Sequence, residues 1–402
     1  MLLCHDEAME TRDSNISEPN NTEPNTEAFG AEQGELPDLV RVSLSDRKLL
    51  PIGSAPLAQR QLVPSERRVD SARGAMLGTA IGDALGRPAE GRHPAGLRGQ
   101  EEAFRDFQAW DGYYSGPKGT ITDDTQMTMC VAESLLATRG RIDPADLARR
   151  FVDWLPYGRG TGHTCVAAVN HLEAGENWWT AGVASAGNGA AMRVAPIGIA
   201  LGADTTQLCH DAALSALITH ADPMAVASAV GHAWLIAHLA GANATSLDPT
   251  AIINELAAAI EVIDDPGASE REWNQRPDKT STAITLANRV REIPALLGKP
   301  IGEAFDYLYN GAFVLETLPA ALWCFFTYQD DPEEGVISAV LRGHDADTVA
   351  SMAAAYFGAL HGVAAFPDRW TGEDLEYQTQ LLNLADQLAA IGPGLGRLEN
   401  RP

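Results

Sequence analysis

Apolar side chains recur at three- and four-residue spacing through residues 126–137, 204–219, 224–240, 250–263, 280–297 and 348–362. Alanine and leucine dominate these stretches and β-branched runs are few, so the pattern predicts helices. Between them, Gly and Asn at 186–189, 241–243, 266–267 and 310–311 mark turns rather than strands. The chain of 402 residues is 45% apolar, enough for a substantial core. We therefore expect an all-α fold, a single large orthogonal helical domain over residues 66–402.

The first 65 residues break the pattern. From Asp6 to Asp38 ten carboxylates stand against one arginine, Arg12, with Asn, Thr, Pro and Gly between them. Such a segment cannot offset its chain entropy by burial, so it is expected to be disordered alone. Residues 39–63 regain Leu, Val and Ile among basic side chains, which suits an arm that docks on its own domain or on a partner. The alternative is a plain tether.

Charge and cysteine usage narrow the class. A formal net charge of −25 argues against nucleic acid as a direct partner, because phosphate backbones are held by basic surface. Five scattered cysteines without CxxC spacing indicate neither a disulfide framework nor a zinc site, and fit a reducing cytoplasm. The N-terminus lacks the basic-then-apolar order of a signal peptide. Residues 224–247 carry no formal charge, yet His232, His238, Gly231, Gly241 and Asn243 interrupt them. A buried core helix is expected there, not a membrane span.

The candidate chemistry lies in two acidic clusters, Thr122-Asp123-Asp124 and Asp345-Ala346-Asp347-Thr348, each opening into an apolar helical stretch. Helix capping is the bland explanation. Asp123 with Gln126 three residues on has the form of a capping box, and Asp345 or Asp347 could cap the following helix. Capping uses one carboxylate, however, and each cluster supplies two and a threonine hydroxyl. Hard oxygen ligands of this kind suit Mg²⁺, or Mn²⁺, rather than zinc, and the clusters could fold together around a two-metal site. The spacing of Gly74, Gly78, Gly82 and Gly86 puts small residues on one helical face for close packing.

Five segments occur in a specific order: Gly74-Ala-Met-Leu-Gly-Thr-Ala-Ile-Gly-Asp-Ala-Leu-Gly86, Thr122-Asp-Asp-Thr-Gln126, Gly187-Asn-Gly-Ala-Ala-Met-Arg193, Thr219-His-Ala-Asp-Pro223 and Gly343-His-Asp-Ala-Asp-Thr348. With them the chain resembles the ADP-ribosylglycohydrolase family, that of the dinitrogenase reductase activating glycohydrolase, from about Val69 to about Trp370. The resemblance implies that Thr122, Asp123, Asp124, Asp345, Asp347 and Thr348 bind two Mg²⁺ ions. It further implies that Glu90 and Asp123 serve catalysis, and that Ser185, Gly187, Asn188, Gly189 and His220 bind ADP-ribose. His344, where many relatives have glycine, is expected to point its ring away from the metals.

One departure stands out. Arginine-specific relatives carry an aspartate where this chain has Gly160, which puts an arginine-linked substrate in question and leaves Glu90, Asp123, Asp153 or Glu173 open as the base. The implied activity is Mg²⁺-dependent removal of ADP-ribose from mono-ADP-ribosylated protein. Two rivals are an immunity protein that neutralises an ADP-ribosyltransferase toxin, by hydrolysis or with the N-terminal arm, and a hydrolase of a small ADP-ribosyl compound.

Overall fold

The computed structural model describes residues 63–111, 115–263 and 285–391. The expected arm at 39–63, the acidic stretch before it and the turn at 266–267 thus lie almost wholly outside the described residues. Among the described residues the chain is all-α, with only three isolated bridges and no strand.

In chain order the α-helices are α1 (Ser65–Gly86), α2 (Asp123–Ala137), α3 (Pro144–Trp154), α4 (His163–Glu173), α5 (Trp178–Ala181), α6 (Ala195–Leu201), α7 (Thr205–Leu217), α8 (Pro223–Gly241), α9 (Pro249–Ile260), α10 (Leu286–Arg291), α11 (Ile293–Leu296), α12 (Ile301–Leu308), α13 (Val314–Thr327), α14 (Pro332–Val340), α15 (Ala346–His361) and α16 (Gln378–Ile391). Five of the six expected helical stretches are found with shifted ends. The stretch at 280–297 differs: its described part is α10 and α11, because Pro294 has no N–H to continue a helix and sits in the first turn of a new one.

The contact between α1 and α15 organises the core. Small residues repeat every fourth position on both helices: Gly74, Gly78, Gly82 and Gly86 on α1 face Gly358, Ala354, Ala350 and Ala346 along α15, with Asp347 beside Gly86. A Cβ on any of these α1 glycines would overlap the backbone of α15. The helices therefore meet backbone to backbone, and the rigid contact carries Asp83 on α1 to Asp347 at the start of α15. Around this pair α8 packs against α6, α7, α9 and α15. By length and composition α8 could cross a membrane, but 83% of its apolar window is buried inside the structure, as befits a core helix. The four described cysteines, Cys130, Cys165, Cys209 and Cys324, are buried.

Candidate active site

Helix capping in this chain is done elsewhere. Asp143, Asp204, Asp222, Asp248 and Asp331 each accept backbone N–H groups at the start of the helix that follows. Asp345 precedes α15 but makes no such bond, and α2 begins at Asp123 itself with Thr122 at the cap position. The expected capping box is not formed. The Gln126 side chain instead accepts from Trp154 Nε1 (3.1 Å) and the Arg159 N–H (3.0 Å).

The cap of α2 comes from another helix. Asp83 accepts the N–H groups of Thr122 (2.9 Å) and Thr125 (3.2 Å) and the hydroxyls of the same two residues (2.7 and 2.5 Å). One buried carboxylate from another helix thus serves the start of α2.

Two groups of acids converge at the junction of α1, α2 and α15. Ligand oxygens of Asp83, Asp124 and Asp347 lie within 4.8 Å of one another, and so do those of Glu90, Asp345 and Asp347. Asp347 belongs to both. Thr348 Oγ1 lies 3.4 Å from both Asp124 Oδ2 and Asp345 Oδ1, so it links the groups. Thr122 reaches the site through its bond to Asp83. Glu90 sits at the accessible edge, ion-paired with Arg87, whose guanidinium also lies 3.9 Å from Asp347 Oδ2.

The electrostatics is that of a site short of positive charge. Burial and the neighbouring Asp347 push Asp345 up to about 8, and burial pushes Asp83 up to about 6 against the bonds from Thr122 and Thr125. Asp123 and Asp124 are driven well above the usual carboxylate range, first by burial and then by the acids around them. For Asp347, burial again outweighs the Arg87 cation. Asp124 Oδ1 is buried with no hydrogen-bond partner among the described residues, a costly state for a carboxylate oxygen unless a cation meets it. Carboxylates and hydroxyls gathered this way match the donor set of Mg²⁺.

The other expected residues are placed as follows. Asp123 is in neither group of acids: its carboxylate is turned toward the Gly160–Gly162 loop, and its N–H bonds to Arg159 O (2.8 Å). Gly160 has φ +72° there, and a Cβ on it would lie 3.2 Å from Asp123 Oδ1, so the position of the missing aspartate is indeed beside the site. Asp153 and Glu173 are exposed and belong to neither group. The His344 ring turns away as expected, against Tyr309 and His93.

The expected ligand-binding turn is more inward-facing than its glycines suggest. Gly187 N–H bonds to Ser185 Oγ (3.2 Å), which also takes the Thr164 hydroxyl (3.0 Å), and Asn188 N–H bonds to Ala312 O (3.0 Å). The Gly187 and Asn188 amides are therefore already spent within the protein and not open to an anion. The Asn188 side chain is buried and donates to Thr317 Oγ1 (3.0 Å) and to the Asp345 carboxylate. Asn188 therefore orients an acid of the site. His220 is 1% exposed, with its ring packed under Gly187 and Gly189. It supports the turn from below.

Sequence reasoning missed Asp83 and Arg87 as members of the site. The signal was present: Asp83 is the single charged residue in the stretch from Gly74 to Gly86, all thirteen residues of which are buried.

Comparison with known proteins agrees with this arrangement. Residues 64–396 match the family model for ADP-ribosylglycohydrolase. The ADP-ribosylarginine hydrolase Tri1 of Serratia proteamaculans is 27% identical over 83% of this chain and 82% of its own length. The ADP-ribosyl-[dinitrogen reductase] glycohydrolase of Rhodospirillum rubrum is 26% identical over 80% and 96%. A solved structure described as an ADP-ribosylglycohydrolase-related protein complex superposes with a TM-score of 0.59 at 28% identity, covering 81% of this chain and 99% of the other. The buried acids held by α1, α2 and α15 thus sit in a chain that belongs to the ADP-ribosylglycohydrolase family.

Proposed function

We propose that this hydrolase removes ADP-ribose from mono-ADP-ribosylated protein and that it does so with two Mg²⁺ ions. The observation that carries the proposal is the partnerless Asp124 Oδ1 among buried acids that share Asp347. Asp83, Asp124 and Asp347 would hold one ion, and Glu90, Asp345 and Asp347 the other, with Thr122 and Thr348 beside them. Bound there, the metal supplies positive charge that neutralises the acids and orients ribose hydroxyls and water.

The protein's own groups divide the remaining work. Glu90 stands at the accessible edge, anchored by Arg87, and is placed to accept the proton of a water that attacks C1″. The carboxylates around it favour the positive charge that develops on the ribose as the glycosidic bond breaks. Asn188 keeps Asp345 turned inward. The Ser185–Gly189 turn, next to Asp345 through Asn188, is suited to the diphosphate.

The relatives named above are described as acting on ADP-ribosylarginine and on ADP-ribosyl-dinitrogen reductase, which supports a modified protein as substrate. Gly160 leaves the space beside Asp123 open and removes a carboxylate that would meet a guanidinium leaving group, so we assign the preferred acceptor to a residue other than arginine. The test is to incubate the protein with acceptors ADP-ribosylated on arginine or on serine, with Mg²⁺ or with chelator. ADP-ribose should appear only with metal and faster from the serine-linked acceptor. Release from neither acceptor would overturn the proposal, and faster release from arginine would overturn the acceptor assignment.

A further inference from the structure

The ring of His220 is reached from a buried cation that the acidic groups do not touch. Arg193 is fully buried, stacks over Phe151 at 4.5 Å and pairs with no carboxylate among the described residues. Its guanidinium donates to Ser215 O (2.6 Å) and to Thr219 Oγ1 (2.8 Å), and Thr219 Oγ1 lies 2.8 Å from His220 Nδ1. Thr219 is itself fully buried, and its hydroxyl has no other acceptor in reach among the described residues. A buried hydroxyl that accepts from a guanidinium leaves its own hydrogen unsatisfied, at a cost, unless it donates it to its remaining partner, which favours donation to His220 Nδ1. His220 Nδ1 then carries the lone pair and Nε2 carries the hydrogen. The Nε2 edge faces the turn: it would lie 3.4 Å from a Cβ on Gly187, and the adjoining ring carbon 3.1 Å from a Cβ on Gly189.

We propose that Arg193 and Thr219 are positioning residues that lock His220 as the Nε2–H tautomer, so that its donor points at the anion-receiving turn Ser185–Gly189. Burial and the Arg193 charge hold His220 down at about 3, so the ring is neutral at physiological pH and its tautomer decides whether it offers a donor. The guanidinium adds positive potential under the same turn. The inference rests on the reading of this turn as the part of the site that takes the diphosphate.

Histidine ¹⁵N–¹H correlation spectra of the full chain test it directly. Wild-type protein should show His220 neutral with Nε2 protonated, Thr219→Ser should keep that pattern, and Thr219→Val should lose it. By calorimetry, Thr219→Val should bind ADP-ribose about tenfold more weakly, the size of one hydrogen bond to a charged group, with Mn²⁺ affinity unchanged. A wild-type spectrum with Nδ1 protonated overturns the relay without recourse to any variant. ADP-ribose affinity within twofold of wild type in Thr219→Val overturns its role in binding. Wild-type protein with the expected tautomer but no affinity for ADP-ribose supports the relay and overturns only the functional reading.

Discussion

The acidic groups and the Ser185–Gly189 turn are neighbours with opposite imbalances. Asp83, Asp124, Asp345 and Asp347 are crowded, and the cation the structure places against them, Arg87, is 3.9 Å from Asp347. Behind the turn the imbalance is reversed, because Arg193 is buried with no carboxylate in reach among the described residues. On the function proposed above, each half would be relieved by a ligand of the opposite sign, a divalent cation on one side and an anion on the other. Asn188 joins them, its backbone in the turn and its side-chain amide on Asp345. Burying unpaired charge costs stability before binding and strengthens the interaction when the ligand arrives.

Removing the shared acid should have the largest effect. Asp347→Asn should lower hydrolysis by at least the roughly 10²–10³-fold that one electrostatic contact contributes. In metal-free protein the same change should raise the melting temperature, since it removes a charge from the crowd. A variant as active as wild type at limiting Mg²⁺ would break the acidic half of the comparison.

Gly82→Val should follow. Its side chain would overlap Ala350 on α15, and overpacking a backbone contact costs about 3 kcal/mol or more. Chemical denaturation reads this as a lower midpoint, and an unchanged midpoint would mean that α1 and α15 are not locked together.

Acidity should separate the halves further. Asp83 and Asp345 have folded values raised to about 6 and about 8 from 3.8, so their contribution is full below about pH 4 and is lost as pH rises through 6 and then 8. The melting temperature of metal-free protein should therefore fall between pH 5 and 8.5. Saturating Mg²⁺ should flatten that slope, adding about 2.7 kcal/mol at a hundredfold excess over its Kd. A flat profile without metal would contradict the crowding.

Asn188→Ala should weaken Mn²⁺ binding by roughly 10–100-fold, as expected for loss of a group that orients a ligand. Calorimetry with the metal and then with ADP-ribose checks which half it serves. The smallest effect is expected from Gly160→Asp: about 1 kcal/mol of stability for a side chain at φ +72°, and a higher ratio of arginine-linked to serine-linked turnover.

The helical fold was legible because apolar periodicity is a local property. The stripe of four α1 glycines is likewise local, and its reason, backbone contact, needed only one helix to read. Asp83 was harder. In sequence it is one acid in a packing helix; its work, capping α2 and joining two acids from α2 and α15, exists only after three distant segments meet. The capping box at Asp123 and Gln126 failed for the same reason, since Asp83 satisfied the N–H groups first. Asn188 and His220 could be read from motif spacing as residues of the same region, but their partners could not: the bond from Asn188 to Asp345 and the contact of His220 with Thr219 exist only once distant segments pack together.

The central claim is that two groups of acids sharing Asp347 hold two divalent cations. Calorimetric titration of metal-free protein with Mn²⁺, for wild type and Asp347→Asn, tests it most directly. The account predicts two ions per chain for wild type and loss of both in the single variant, with circular dichroism unchanged. No binding to wild type, or two ions still bound by Asp347→Asn at wild-type affinity, would contradict it.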